Sequence, residues 1–250
     1  MLIEKSFAEF LAVTVVDIIL VTFRMVMAAI GSFFAIVVVK QFFGGIGQNF
    51  ANPAIAARIV LLISFGQAMG NWTAPLSWKT DAVSTATPLA ILGGETAEEL
   101  PSLLDMFLGI RGGCIGETCS VTLIIGGIYL LARRVISYKI PVAFIGTVAV
   151  VMLIAGKGDL EFVAYHLMSG GLLLGAFFMA TDYSTSPSTK WGKIIFGIGC
   201  GLITFVIREF GGYPEGVSFS ILLMNILSPY ISMLTRKRPF GTKKTGGKKV

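Results

Sequence analysis

The sequence predicts an all-α integral membrane protein, and three observations carry that prediction. Mean hydropathy is +0.81 over 250 residues, with 54% hydrophobic and only 14% charged side chains, a composition no soluble globular domain needs. About seven apolar segments recur along the chain, each bounded by Gly, Pro or charge. The basic clusters fall in alternate connections, as they do when spans alternate direction across a bilayer.

In chain order, residues 11–39 form one apolar stretch, interrupted by Asp17 and Arg24, that suits a single span of about 20 residues. Those two charges lie seven apart on one helical face, suited to the bundle interior or the membrane edge. Lys40–Pro53 reads KQFFGGIGQNFANP, a Gly-rich turn ending in Asn52-Pro53. Asn caps a helix start and Pro is favoured at its first position. Ala54–Met69 is apolar apart from Arg58 and short for a span. Gly70–Gly113 is the one long polar connection, with a short interfacial helix expected in Glu95–Leu108. Cys114–Leu131, Ile140–Ala155, Phe162–Ala180, Trp191–Phe210 and Val217–Leu234 complete the spans. Residues 1–234 thus read as a transmembrane domain, with 70–113 as its loop and 235–250 as a basic tail.

Charge placement orients this domain. Arg133, Arg134 and Lys139, then Lys190 with Lys193, then the tail from Arg236, all fall on one side, and the positive-inside rule makes that side cytoplasmic. The C-terminus is then cytoplasmic and the 70–113 loop lies on the non-cytoplasmic side. The net charge of +6 is a property of the tail: residues 235–250 hold seven bases, leaving 13 bases against 14 acids elsewhere. Such a tail suits membrane lipid, at about 1 kcal/mol per basic residue near anionic headgroups, and argues against nucleic acid as a partner. Cys114, Cys119 and Cys200 are too few and too irregular for a disulfide framework, and no Cys/His spacing makes a metal site. Glu117 suits the N-terminal backbone of its helix, and the single His166 reads as a packed core residue. Met1–Phe10 carries Glu4, Lys5 and Glu9 and lacks the form of a cleavable signal.

Two polar islands interrupt this apolar chain. Thr80-Asp81-Ala82-Val83-Ser84-Thr85-Ala86-Thr87-Pro88 carries one carboxylate among hydroxyls. Pro88 disfavours helical backbone at Thr87, which leaves that hydroxyl uncommitted to a helix carbonyl. By local chemistry alone this is a surface turn. The second island, Thr181–Thr189, reads TDYSTSPST. Asp182 there is either a capping carboxylate or an ionisable group for ion coupling. In both the Lys40–Pro53 and the Thr181–Thr189 sections an Asx/Ser-Pro element breaks apolar sequence, the form of a transporter-like internal repeat with broken half-helices.

Four strings in order, KQFFGGIGQNFANPAIAARIVLLISF at Lys40–Phe65, DAVSTATPL at Asp81–Leu89, GGCIGETC at Gly112–Cys119 and GAFFMATDYSTSPST at Gly175–Thr189, resemble the NqrB/RnfD family. These are flavoprotein membrane subunits of ion-pumping oxidoreductases. Within the family the strings resemble the D subunits of Rnf complexes, ferredoxin:NAD+ oxidoreductases, more than the B subunits of sodium-pumping quinone reductases. The resemblance implies a subunit of a redox-driven translocase in the plasma (inner) membrane, working with other membrane and peripheral subunits to export Na+ or H+. It implies FMN esterified through its phosphate to Thr87, within the attachment motif Ser84-Thr85-Ala86-Thr87, with Asp81, Ser84 and Thr85 assisting. It further suggests a second, non-covalent flavin, riboflavin, with Asn49 and Asn52 as liners, and places the iron–sulfur centre on other subunits. Family members usually carry several further spans before the KQFFGGIGQN string. Here 39 residues precede it, so the sequence reads as N-terminally abbreviated.

Two other function classes compete. A urea-transporter-like channel or solute carrier would use the broken-helix repeat without redox chemistry. A purely structural subunit would hold a pump together. Covalent flavin separates the channel reading from the flavin carrier, and electron transfer left intact in Thr87→Ala would mark the structural one.

Overall fold

The computed structural model describes residues 23–45, 47–70, 72–73, 84–94, 100–114, 116–211 and 215–236. Among these, eleven helices and one two-residue ladder follow in order: α1 Phe23–Gln41, α2 Pro53–Ser64, α3 Gly66–Gly70, β1 Trp72–Thr73, β2 Ser84–Thr85, α4 Pro88–Leu92, α5 Leu103–Leu108, α6 Ser120–Ala132, α7 Lys139–Ala155, α8 Leu160–Met168, α9 Leu172–Met179, α10 Lys190–Phe210 and α11 Val217–Thr235. β1 and β2 pair antiparallel, Trp72 opposite Thr85 and Thr73 opposite Ser84. Helices α1, α10 and α11 are long and apolar enough to cross a membrane, α8 and α9 form a pair bent by 65°, and α2, α6 and α7 are shorter apolar helices. These make seven apolar units, as the hydropathy pattern predicts. The part of the first expected span over residues 11–22, with Asp17, lies outside the described residues, as does the tail beyond Arg236.

The core lies along α7, α10 and α11. Phe144 and Val148 of α7, Phe196 and Cys200 of α10 and Ile221 of α11 are fully buried in one apolar cluster, which Ile55 of α2 and Leu172 of α9 extend. Glycine makes α10 the central helix. A Cβ on Gly197 would stand 2.9 Å from the Ile140 carbonyl oxygen, and one on Gly201 3.1 Å from that of Phe144. The two form a Gly-x-x-x-Gly stripe that brings the α7 and α10 backbones together. The outer faces carry large apolar side chains, including Val142, Val150, Ile198, Leu202, Val206 and Leu223. That suits a lipid or protein surround, because such faces are costly in water.

Three expected elements differ. Cys114–Leu131 is not helical throughout: α6 begins at Ser120. The preceding loop folds around Arg111, whose Nε donates to the Thr118 carbonyl at 2.9 Å and whose Nη2 donates to that of Glu117 at 2.7 Å. Phe162–Ala180 is broken at Ser169–Gly171, where Gly170 takes φ +62°, a conformation L side chains rarely adopt. Within the described part of 95–108 the helix is Leu103–Leu108, begun by Ser102, and residues 95–99 lie outside the described set.

Two stretches are wound as π-helix, Phe34–Gln41 at the end of α1 and Gly175–Met179 at the end of α9. Bonds from Phe42 N to Val37 O and from Ala180 N to Gly175 O span five residues. Each π segment runs directly into a polar connection, Gly-rich after α1 and hydroxyl-rich after α9. Single π turns inside helices concentrate at functional sites.

Candidate functional site

Thr87 stands at the start of α4. Its backbone is extended, φ −72° and ψ 150°, as the following proline requires, and its hydroxyl oxygen accepts from the Ala90 amide at 3.3 Å. The hydroxyl therefore serves as a helix cap, its oxygen used as an acceptor. Thr87 is half-buried, while Pro88 and Leu89 behind it are buried. Ser84 and Thr85 contribute the β2 backbone that leads into this start. Asp81 lies outside the described residues.

Asn49, Asn52 and Asp182 meet elsewhere. They line one cavity of about 450 Å³, together with Lys40, Phe177 and Phe178 among others. Asn52 caps α2, accepting from Ala54 N at 3.0 Å and Ile55 N at 3.4 Å, and its Nδ2 donates to the Met179 carbonyl at 3.4 Å. This last bond ties the start of α2 to the end of the α9 π segment. Asn49 Oδ1 is buried without a hydrogen-bond partner, which leaves an acceptor in the cavity wall to be satisfied. Asp182 accepts from Ser184 N at 3.4 Å, Ser184 Oγ at 2.9 Å and Thr185 Oγ1 at 3.2 Å. Its carboxylate thus holds the turn of the second island. Thr189 then caps α10, taking the Gly192 amide at 3.1 Å and touching Thr235 of α11.

A third group gathers around Arg58. Arg58 of α2 bonds to Glu215, in the connection before α11, and lies 3.7 Å from Glu117 Oε2, in the loop before α6. It also donates to Cys114 Sγ at 3.3 Å, while the Cys114 amide donates to Glu117 Oε1 at 3.0 Å. One ligand atom each from Cys114, Glu117 and Glu215 lies within 4.8 Å of the others. The guanidinium already sits against both carboxylates, so the positive charge that a metal would supply there is present. Burial, then the neighbouring Glu117, pushes the Cys114 thiol up to about 12, leaving it a neutral, poor ligand near pH 7. Burial and Glu117 likewise raise Glu215, while Arg58 and Arg208 oppose them. Glu117 holds the loop that precedes α6 through the Cys114 amide and does not bond the N-terminal backbone of that helix.

Arg208 of α10 closes the helix break. Its Nη1 donates to the His166 carbonyl at 2.7 Å and its Nη2 to that of Ser169 at 3.1 Å, two oxygens freed where α8 gives way to α9. In a bundle interior such freed carbonyls need a protein partner. Sequence reasoning missed Arg208, Arg111 and Glu215 as structural charges because each sits beside a Gly-rich turn and reads as an exposed end. The single cation at 58 inside an apolar helix was the available signal.

The sequence matches the family described as the NQR2, RnfD, RnfE family over residues 11–241. It is similar to the D subunit of the Na(+)-translocating ferredoxin:NAD(+) oxidoreductase complex of Acetobacterium woodii, 50% identical over 221 residues, covering 87% of this chain and 67% of the relative. A second relative is the D subunit of the proton-translocating ferredoxin:NAD(+) oxidoreductase complex of Clostridium ljungdahlii, 45% identical over 229 residues, covering 87% of this chain and 69% of the relative. A third is the D subunit of the ion-translocating oxidoreductase complex of Stutzerimonas stutzeri, 41% identical over 248 residues, covering 86% and 70%.

Proposed function

Because this chain belongs to the NQR2, RnfD, RnfE family, we propose that it is the flavin-carrying membrane subunit of an ion-translocating ferredoxin:NAD+ oxidoreductase, with FMN joined by a phosphoester to Thr87. Supporting this reading is the state of the Thr87 hydroxyl: half-buried, on extended backbone, and engaged through its oxygen as an acceptor. Esterification replaces the hydroxyl hydrogen and keeps the lone pair that caps α4, so the anchor and the helix start are compatible. Thr87 holds the cofactor and takes no part in acid–base chemistry. Bound FMN supplies one- and two-electron transfer, and the protein supplies position and electrostatics. Ser84, Thr85 and Asp81, within six residues of Thr87, assist the phosphate or the metal used during attachment.

The cavity of about 450 Å³ at Asn49, Asn52 and Asp182 takes a second, non-covalent flavin, riboflavin. Its size falls in the ordinary range of ligand pockets, about 300–1,000 Å³. The unpartnered Asn49 Oδ1 suits a ring N–H, and Phe177 and Phe178 supply apolar wall. Asp182 is the acid assigned to ion coupling. It lines this cavity, and coupling there requires it to release the Ser184 and Thr185 hydroxyls. The relatives from Acetobacterium woodii and Clostridium ljungdahlii are named for different ions, Na+ and H+, so likeness at this level does not choose the ion. The protein resides in the plasma membrane beside the other subunits of its complex, with the Thr87 loop on the non-cytoplasmic face and the C-terminus in the cytoplasm.

Mass spectrometry of the peptide from Asp81 to Glu95 tests this. The expected outcome is an added mass equal to FMN less water, fluorescence of the denatured protein on a gel, and loss of both, with electron transfer, in Thr87→Ala. A native complex with unmodified Thr87 and full electron transfer in Thr87→Ala would reject it, leaving the carrier or structural readings.

A further inference from the structure

A second cavity begins beside Thr87. Leu89 and Leu92 of α4 with Gly93 after it, Phe162 and His166 of α8, and Arg208 and Glu209 of α10 line a space of about 290 Å³ with Gly211. Leu89 follows Thr87 by two residues, so their Cα atoms lie within about 7.6 Å. A ribityl phosphate arm is long enough to cross that gap. Gly170, at the helix break, allows the close approach: a Cβ there would meet Leu89 Cδ1 at 2.4 Å and Arg208 Nη2 at 3.3 Å.

The polar groups of this cavity are incompletely matched. Arg208 gives both Nη atoms to backbone carbonyls, and its buried Nε has no hydrogen-bond partner. Among the described residues no carboxylate forms an ion pair with it. His166 is 6% exposed, its ring lies 4.4 Å from that of Phe162, and its buried Nδ1 is also unpartnered. Glu209, the one acid in the wall, is solvent-exposed. The charge of Arg208 is faced by Glu215 and Glu117 without direct contact, but its Nε and the His166 Nδ1 are buried polar atoms without partners, a costly state in a low-dielectric bundle unless a ligand brings hydrogen-bonding groups.

Resting on the flavin reading of Thr87, we propose that this cavity receives the pyrimidine end of that flavin's ring. Arg208 serves the N1–C2 carbonyl edge, His166 the N3–H, and Leu89, Leu92 and Phe162 pack on the ring. Arg208 then places a fixed positive charge where a flavin that has taken up two electrons and one proton carries its single negative charge. A fixed charge of opposite sign favours the reduced form, so Arg208 raises the midpoint potential of the Thr87 flavin, and His166 orients the ring.

The test uses the purified complex, with the Thr87 flavin identified as the absorbance component lost in Thr87→Ala. In Arg208→Met the midpoint potential of that component falls, and Arg208→Lys, which keeps the charge, restores most of the shift. His166→Gln moves its absorption band with flavin loading unchanged. Should Arg208→Met fail to assemble because the helix break opens, Leu92→Trp replaces it: filling the cavity from α4 moves the same band. A gel-fluorescent protein whose band and potential ignore these substitutions overturns this proposal alone. A wild-type protein without flavin on Thr87 overturns the flavin reading and this proposal together.

Discussion

The guanidinium of Arg58 is hydrogen-bonded to the carboxylate of Glu215, 157 residues later in the chain. Through Glu117, 3.7 Å from the same nitrogen, the contact joins α2 to the connections that open α6 and α11. The starts of α6 and α11 are therefore tied to the body of α2 by one cation. Exposed ion pairs contribute under about 1 kcal/mol, but this one is mostly withdrawn from solvent, with side chains 17% and 21% exposed.

Arg58→Met leaves two carboxylates facing each other without their cation and should cost about 3 kcal/mol. Thermal unfolding in detergent measures the loss. Arg58→Met combined with Glu215→Gln should recover part of it, since one of the two unpaired charges is gone. Equal loss in the single and the double variant would show that the pair is not the relevant interaction.

The loop cysteines should differ in reactivity. Thiolate is the reactive form, and burial beside Glu117 pushes the Cys114 thiol up to about 12, so it stays protonated at about pH 8, near the ordinary thiol pKa. Cys119 is shifted the other way, chiefly by the Thr122 side chain. A maleimide at that pH should therefore label Cys119 first and Cys114 only at higher pH or after unfolding, as peptide mapping would reveal. Preferential labelling of Cys114 would contradict the folded loop.

Gly197 and Gly146 form a matched pair of tests. A Cβ on Gly197 stands 2.7 Å from that of Ala143 and 2.9 Å from the Ile140 carbonyl, whereas one on Gly146 meets nothing within 4 Å. Gly197→Ala should separate α7 from α10 at a cost of about 1–3 kcal/mol. Gly146→Ala should stabilise the helix by about 0.5–1 kcal/mol. The difference in unfolding temperature between the two variants is the readout.

Asn49→Leu removes the unpartnered Oδ1 from the wall of the larger cavity. Retention of extractable, non-covalent flavin should weaken about tenfold, the effect of one lost hydrogen bond, with gel fluorescence from Thr87 unchanged. HPLC of flavin released from the purified complex checks both. Unchanged extractable flavin would place the second cofactor elsewhere.

Much of the fold was legible because apolar run length decides where helices form in such a chain. The bounds of α7, α10 and α11 fall within about a residue of the hydropathy segments. Asn52-Pro53 was legible for a different reason: proline fixes backbone locally and leaves the preceding side chain as the cap. At Thr87-Pro88 the extended backbone was legible, but the helix that Thr87 caps was not, the stretch reading as a surface turn. The break at Ser169–Gly171 was not legible, because what permits it is Arg208, 39 residues beyond Ser169, and no local pattern records a remote donor. Gly112–Cys119 misled in the same way: apolar enough to extend α6, it is folded as a loop by Arg111. The meeting of Asn49 with Asp182 is likewise a product of packing.

The two π segments have an evolutionary consequence. A π turn holds one residue more than an α turn, so each behaves as an insertion absorbed without ending the helix. Both lie just upstream of the polar connections that wall the larger cavity. Deleting one residue from Phe34–Gln41 or Gly175–Met179 would take up that extra residue and restore α winding locally, with the rest of the helix keeping its face. A single-codon deletion is therefore absorbed at these two places, whereas the same deletion in an α-wound stretch would turn everything beyond it by about 100°.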